Sequence, residues 1–474
     1  MNGRETGGHH FRFPIEKGKG ASVLRYRLFN TRILTLLTIF IICPNFFWAF
    51  LFAAEEYELS RFIPPETCGD CHSEIFSQWS NSMHSLSQKD SVYLSVSEFM
   101  RKGLVDPDEI AEAESCVKCH VPVGVVTGYP KKTSDDKSKI PDIANQGIQC
   151  DYCHSAVSAE KMYNNDIKLN PGHGEDDPGI KNGPRRDAES DFHETKYSEF
   201  HTQSEICGTC HNVKHVVFNT DLETTYDEWK KGPYNSPDPE KRVTCQGCHM
   251  FQRPGLPATG SVKRSKNKGQ AADDGPVREH VFTHYFVGAN RFIPESFGDM
   301  EKGKMAEARL MNSATLAIET REIEKGKLGI KITNTGAGHY LPTGLTDIRQ
   351  MWLEITIQDT DSGVTVYESG KLDQDSYVTD NAIIFNTVFG DGKGNPVINI
   401  AKAREVLKDK RIPPLESITE TIQLPSVKWK QLSVHVKLLY RSVPQKILDM
   451  VSGKGTIQLP VVTMASVDRK ISKP

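Results

Sequence analysis

Cys68-Gly69-Asp70-Cys71-His72 is the first of five copies of one pentapeptide pattern. The others are Cys116-Val117-Lys118-Cys119-His120, Cys150-Asp151-Tyr152-Cys153-His154, Cys207-Gly208-Thr209-Cys210-His211 and Cys245-Gln246-Gly247-Cys248-His249. C-x-x-C-H is the attachment site of c-type haem. Two thiols form thioethers with the haem vinyl groups, and the adjacent imidazole ligates the iron. The spacing is mechanical. Residues three apart on a helical turn lie on one side, so both sulfurs meet one porphyrin edge. The five copies use ten of the eleven cysteines. The competing assignment is zinc knuckles or disulfides. A zinc site pairs two C-x-x-C units but has no need of a His directly after each. The repeats therefore predict five covalently attached haems c. Cys68, Cys71, Cys116, Cys119, Cys150, Cys153, Cys207, Cys210, Cys245 and Cys248 hold them, and His72, His120, His154, His211 and His249 ligate the irons.

The chain has 474 residues, of which 37% are hydrophobic, less than an ordinary soluble globular chain carries. Large apolar cofactors replace much of a side-chain core. Residues 1–54 read as a signal peptide or an N-terminal membrane anchor. Arg25, Arg27 and Arg32 precede the apolar run Ile33–Phe52, and Ala53-Ala54 offers a cleavage site. The run exceeds a usual signal core, so a retained anchor is the alternative. Cys43 reads as an incidental apolar cysteine. Haem attachment takes place across the cytoplasmic membrane, which agrees with export. The expected location is the periplasm, or the membrane with the haem region outside the cytoplasm.

Beyond residue 54 the chain carries 51 basic and 59 acidic side chains. Nothing in that balance points to nucleic acid. The expected partners are other redox proteins, an electron donor and an acceptor, with a membrane tether if the N-terminal run is retained.

The expected fold class is α+β: a mainly-α, loop-rich multihaem core over 55–253, then a β-sandwich-like domain over 313–474. Short helices are expected around Glu74–Ser85, Asp108–Cys119 and Thr225–Lys230. Residues 254–312 read as a linker and a short helix, with the basic cluster Lys263-Arg264-Ser265-Lys266-Asn267-Lys268 on a solvated loop. Ala314–Glu322 and Leu328–Thr333 form a hairpin signal around Glu324-Lys325-Gly326-Lys327. Trp352–Ile357, Val364–Ser369, Thr419–Leu424, Leu432–Leu439 and Thr456–Pro460 continue as short strands.

Function turns on the side of each iron opposite its motif. A second His gives a saturated low-spin iron that only moves electrons, whereas an open position admits a substrate. With His9 and His10 in the expected export segment, nine histidines remain: His84, His173, His193, His201, His215, His280, His284, His339 and His435. His84 follows His72 by twelve residues, too close to fold back simply over its own haem, so it is expected over a neighbour. His339 sits among the small residues of Gly336-Ala337-Gly338-His339, which let backbone approach a flat macrocycle. His84, His193, His284 and His339 are the expected distal ligands. His215, four residues after His211, would cap an adjacent haem or buttress a propionate. His435 alternates within a strand and reads as structural.

Several stretches resemble the multihaem cytochrome c family related to the tetrahaem cytochrome of ammonia oxidisers. They are the first motif with Trp79-x-x-Ser82-x-His84, then Gly147-Ile148-Gln149-Cys150-Asp151-Tyr152-Cys153-His154 and Ser204-Glu205-Ile206-Cys207-Gly208. Cys245–Met250, His284-x-Phe286-x-Gly288 and Gly338-His339-x-Leu341-Pro342-Thr343-Gly344 complete the set. The likeness spans roughly Pro64 to Gly344. It implies closely paired haems, mostly bis-His ligation, and distal histidines borrowed between haems. It carries over to His84, His193, His284 and His339. Two departures are a fifth motif and a long β C-terminus. Relatives sometimes keep one haem five-coordinate.

Two functions are expected from these observations. One is a pentahaem electron carrier between periplasmic or membrane redox partners in an anaerobic-type respiratory chain. The other is an oxidoreductase acting on a small nitrogen or sulfur oxyanion at an open iron. Against the second, no motif ends in Lys, the arrangement that marks the related nitrite reductases. Arg185-Arg186 and Arg278 are its anion contacts, or else propionate partners and solvated side chains.

Overall fold

Helix Ser91–Arg101 is the longest in the motif-bearing region, and its origin is local. Asp90 caps it by accepting from the Val92 and Tyr93 N–H groups. Val92, Val96 and Met100, four apart, form the buried stripe. This computed structural model describes residues 56–426 and 428–473. The expected export segment, with Cys43, lies outside the described residues.

The other helices of this region are short. Ser73–Trp79 ends before the expected Ser85, and Pro107–Ala113 is separated from Val117–His120. Thr225–Lys231 falls where it was expected. Between them run two-stranded ribbons and loops. No helix of the described residues is long and apolar enough to cross a membrane.

Residues 254–279 have little regular structure, but they do more than span a gap. Asp273 N–H donates to Cys71 O at 2.8 Å, binding the segment to the first motif. Arg253 ties the basic cluster down through Ser265 and Lys266 carbonyls. Helix Met300–Met311 follows and buries Met305, Ala306 and Leu310.

The C-terminal part is built from two antiparallel sheets, which makes the chain α+β. One runs in the order Thr365–Ser369, Gln350–Asp359, Gln431–Arg441, Val462–Ser472, with Ile383–Phe385 also pairing Gln350–Asp359. The other runs Ser417–Gln423, Lys327–Asn334, Ala314–Glu319. Alternation dictates the packing. Leu328, Ile330 and Ile332 of one sheet and Leu353, Ile355, Val434 and Val436 of the other are all buried in one core. Each such side chain contributes about 1.5–3 kcal/mol. The hairpin turn passes through Gly326 at φ 70°, a left-handed position that favours glycine.

Thr456–Pro460 is not a strand. Pro460 cannot donate to a ladder, and Leu459 N–H instead donates to Gln445 Oε1 at 3.2 Å. The strand begins at Val462. Helix Gln445–Ser452 was also absent from the sequence expectation. A third small sheet, Pro396–Val397, Thr387–Gly390 and Glu405–Asp409, lies near a second core. There Phe389, Ile400, Val443 and Leu448 pack with Leu86, Val92, Val96 and Met100. The motif-bearing and β regions therefore share a core.

Candidate haem sites

Each pentapeptide closes as one helical turn. His72 N–H donates to Cys68 O at 2.9 Å, His120 N–H to Cys116 O at 3.2 Å, and His211 N–H to Cys207 O at 2.9 Å. Helices Cys150–His154 and Cys245–His249 contain the other two motifs. Gln149 and Thr244 cap them through the Asp151 and Gly247 N–H groups. Helices this short need such caps and tertiary contacts to persist.

The motifs meet in space out of sequence order. The Cys68 and Cys150 thiols lie close together, as do those of Cys119 and Cys210 and those of Cys207 and Cys245. Cys153 also lies close to Cys210. The fourth motif therefore neighbours the second, third and fifth, and the third neighbours the first.

Four proximal imidazoles face a second imidazole almost in parallel, three of them at 6.3–6.5 Å. His72 and His193 have centroids 6.5 Å apart at 22°, His211 and His84 6.3 Å at 27°, and His249 and His339 6.4 Å at 23°. Two metal–nitrogen bonds of about 2 Å, with about 1.1 Å from each nitrogen to its ring centre, require about 6–6.5 Å. These pairs have the separation of two axial ligands on one iron, so the residues fit haem iron.

The Nδ1 atoms are held so that Nε2 is left free. His72 Nδ1 meets Ala271 O at 2.6 Å, His120 Nδ1 meets Ser87 O at 2.8 Å, and His154 Nδ1 meets Asn182 O at 2.7 Å. Opposite, His193, His339 and His284 use Glu194 O, Tyr340 O and Phe282 O at 3.0, 2.9 and 3.1 Å. An Nδ1–H bonded to a carbonyl fixes the tautomer in which Nε2 carries the ligating lone pair. Burial drives the His84 and His284 pKa values down to about 3, with neighbouring imidazoles adding to it. Both are therefore neutral, the form that binds metal.

His84 is placed by two sequence-distant stretches. Trp79 Nε1–H donates to Ile148 O at 2.9 Å, and Ile148 N–H donates to His84 O at 3.0 Å. Gly147, at φ 70°, lies so near that a Cβ would collide with the His84 carbonyl. Phe286 stacks on the His84 ring at 4.3 Å.

The remaining histidines divide clearly. His284 is half-buried, with His154 and His72 among its neighbours. His201 stacks with His154 at 5.7 Å, but its Nε2 is bonded to Cys153 O at 2.9 Å. His215, expected as a cap or a buttress, has both ring nitrogens in use. Nε2 donates to Ala401 O at 2.9 Å, and Nδ1 accepts from the Val217 and Phe218 N–H groups. It has no lone pair left for iron. His280 Nδ1 accepts from Asn267 N–H, His173 is exposed, and His435 bonds Asp468 on the outer face of its sheet.

His120 differs from the other proximal residues. Among the described residues no imidazole stacks opposite it; Tyr93 lies flat against its ring at 3.7 Å and 6°. Three side chains near the motifs also escaped sequence reasoning. Glu223 Oε1 lies 3.5 Å from His211 Nδ1, Arg309 is the strongest charged influence on His249, and Tyr93 packs on His120. They lie 12, 60 and 27 residues from their targets, with no local spacing signal. The arginines proposed as anion contacts are already engaged: Arg278 pairs with Asp187, Arg186 lies 3.6 Å over the Tyr197 ring, and Arg185 donates to His280 O.

Neighbouring C-x-x-C-H turns, three of them with neutral imidazoles facing them at 6.3–6.5 Å, are the arrangement a multihaem c-type cytochrome requires. Residues 67–155 match the family model of cytochrome c554 and c-prime. The structure is similar to the crystal structure of a penta-heme cytochrome c552 from Thermochromatium tepidum, with a TM-score of 0.57 at 18% identity. The match covers 88% of this chain and 100% of that one. No curated protein matches the sequence. Residues 67–155 therefore resemble that family, the fold resembles that of a penta-heme cytochrome, and the five C-x-x-C-H turns fit covalently attached haem c.

Proposed function

We propose that the five motifs carry five haems c and that the chain relays single electrons between a donor and an acceptor outside the cytoplasm. The haem supplies reversible one-electron chemistry when bound. The chain supplies ligands, spacing and local charge. We assign the axial pairs His72–His193, His211–His84, His249–His339 and His154–His284. The observation that carries this reading is the near-parallel imidazole pairing at 6.3–6.5 Å in the first three pairs; the fourth is assigned from His284 lying beside His154. The out-of-order contacts among motifs support a continuous route through the fourth site. An anaerobic-type respiratory chain is the proposed setting. The apolar run Ile33–Phe52 supports a periplasmic or membrane-anchored location and, if retained, a membrane tether.

The test is electron paramagnetic resonance of the oxidised holoprotein. His339→Ala should convert one low-spin haem to high-spin. An unchanged spectrum removes His339 from the ligand set.

A second reading rests on His120, which stacks on Tyr93 and, among the described residues, on no second imidazole. It makes the second site open to a small nitrogen or sulfur oxyanion. A high-spin signal in the unmutated protein that shifts with nitrite or hydroxylamine would support it. A purely low-spin spectrum would remove it.

A further inference from the structure

Two segments of the motif-bearing region meet at Arg185 and His280. Residues 184–193 end in His193, which faces His72 at 6.5 Å. Residues 267–280 support the first motif: Ala271 O meets His72 Nδ1 at 2.6 Å, and Asp273 N–H donates to Cys71 O at 2.8 Å. Two contacts join the segments. Arg278 pairs with Asp187, and Arg185 donates through Nη2 to His280 O.

His280 holds an unanswered donor at this junction. Asn267 N–H donates to its Nδ1 at 2.9 Å. A backbone amide can only donate, so Nδ1 holds the lone pair and the neutral ring carries its proton on Nε2. Burial, with Arg185, Arg253 and Lys266 adding to it, pushes the His280 pKa down to about 4, which keeps the ring neutral. Nε2 is closed off from solvent, and among the described residues nothing accepts from it. A buried donor left unpaired is destabilising, so an acceptor belongs there. With its one lone pair already committed, the ring has none for iron.

The surrounding charges decide which acceptor fits. Arg185, Arg253 and Lys266 are all cations. Arg253 is spent on the Phe251, Ser265 and Lys266 carbonyls and on Ser265 Oγ, and Phe251 stacks on the His280 ring at 3.9 Å. Arg185 uses one of its five guanidinium donors on His280 O. Asp187, the acid at the junction, is taken by Arg278. A neutral acceptor would satisfy Nε2–H and leave the positive charge unanswered; a carboxylate satisfies both.

We propose that His280 and Arg185 form a carboxylate site, and that its carboxylate is a propionate of the haem held by the first motif. Continuity argues for that source, because the segments that meet here are the ones that bear His193 and prop His72. The same donors would take a free carboxylate, and the experiment separates the two. The inference rests on the proposed haem at the first motif and its His72–His193 axial pair.

The experiment is a spectroelectrochemical titration of the holoprotein in carboxylate-free buffer, with electron paramagnetic resonance of each variant. A propionate stripped of its donors favours the oxidised, more positive iron. His280→Phe keeps an aromatic ring against Phe251 and removes Nε2–H. It and Arg185→Gln should each move the same single Nernst component to lower potential, and Arg185→Lys should restore part of the second shift. His193→Ala should turn one low-spin signal high-spin and displace that same component, which marks it as the first haem. Components that stay in place in both variants, or a shift on a different component, would overturn the proposal. Acetate binding to the unmutated protein by calorimetry, abolished in His280→Phe with no component moved, would overturn the propionate as the source. If His193→Ala leaves every low-spin signal in place, the axial assignment beneath the proposal is what has failed.

Discussion

The motif-bearing region and the β region solve the problem of making a core in opposite ways. From Leu328 to Ile471 the β region buries an aliphatic cluster between two sheets, and backbone ladders pair its strands. Residues 56–290 have short helices, ribbons and loops, and their buried apolar clusters are smaller. What organises them is a set of imidazoles aimed at spaces the size of a metal ligation shell. One region is held by its own side chains; the other has a smaller core of its own, shares a second with the β region, and on the proposed function is completed by its haems. The difference explains how a chain with 37% hydrophobic residues folds at this length.

This contrast can be broken most directly by denying haem. Cys207→Ser with Cys210→Ser removes attachment at the motif that neighbours three others. Limited proteolysis read by mass spectrometry should then show cleavage concentrated in residues 56–290, with Ala314–Ser472 protected. Equal protection of both regions would show that the motif region does not depend on its cofactors.

The next largest effect belongs to the β core. Trp352 is fully buried, and its Nε1–H donates to Gly370 O at 2.9 Å. Trp352→Ala should cost about 3–5 kcal/mol in denaturant unfolding, while the haem absorption spectrum stays unchanged. A spectral change would mean that the β core positions the haem ligands more tightly than the two-region contrast allows.

Glu228 joins the two regions. It pairs with Arg411, accepts from Tyr340 N–H at 3.0 Å and from Thr343 Oγ1 at 2.8 Å, and so grips the loop that carries His339. Glu228→Ala leaves the Arg411 charge with Asp409 alone and should destabilise by about 3 kcal/mol. It should also produce a partial high-spin signal from the His249 site. Stability loss with no spectral change would show that the His339 loop holds without this strut.

The smallest expected effect is at Asp347, whose carboxylate oxygens are buried without a side-chain partner. Burial raises its pKa to about 7. The folded protein retains a proton that the unfolded chain releases, so this group's effect grows less favourable as pH rises from about 4 to 7. Asp347→Asn should therefore raise the thermal midpoint at pH 8 and change it little at pH 4. The neutral-pH gain should be about 1–2 kcal/mol. An equal gain at both values would show that the effect is not ionisation.

Much of the fold was legible because its signals are local. The hairpin around Gly326 and the strands Gln350–Asp359 and Gln431–Arg441 fall where alternation placed them. Helix Ser91–Arg101 was missed although its Asp90 cap and four-residue apolar spacing are present. Thr456–Pro460 misled because a β-prone run was read without weighing Pro460. Residues 254–279 were read as a spacer because their contacts, such as Asp273 to Cys71, join positions about 200 residues apart.

By itself the sequence carried the chemical expectation: five C-x-x-C-H motifs, whose spacing over one helical turn predicts haem attachment. It also determined the change from a motif-bearing region to a sheet region, because side-chain periodicity is a local property. Only the tertiary structure decided which motifs adjoin, which imidazoles face one another, and that His215 is committed to the backbone while His120 stacks on Tyr93 and, among the described residues, on no second imidazole. It alone placed Glu223 and Arg309. Axial pairing and local charge depend on residues tens to hundreds of positions apart, and no short-range pattern encodes where packing brings them together.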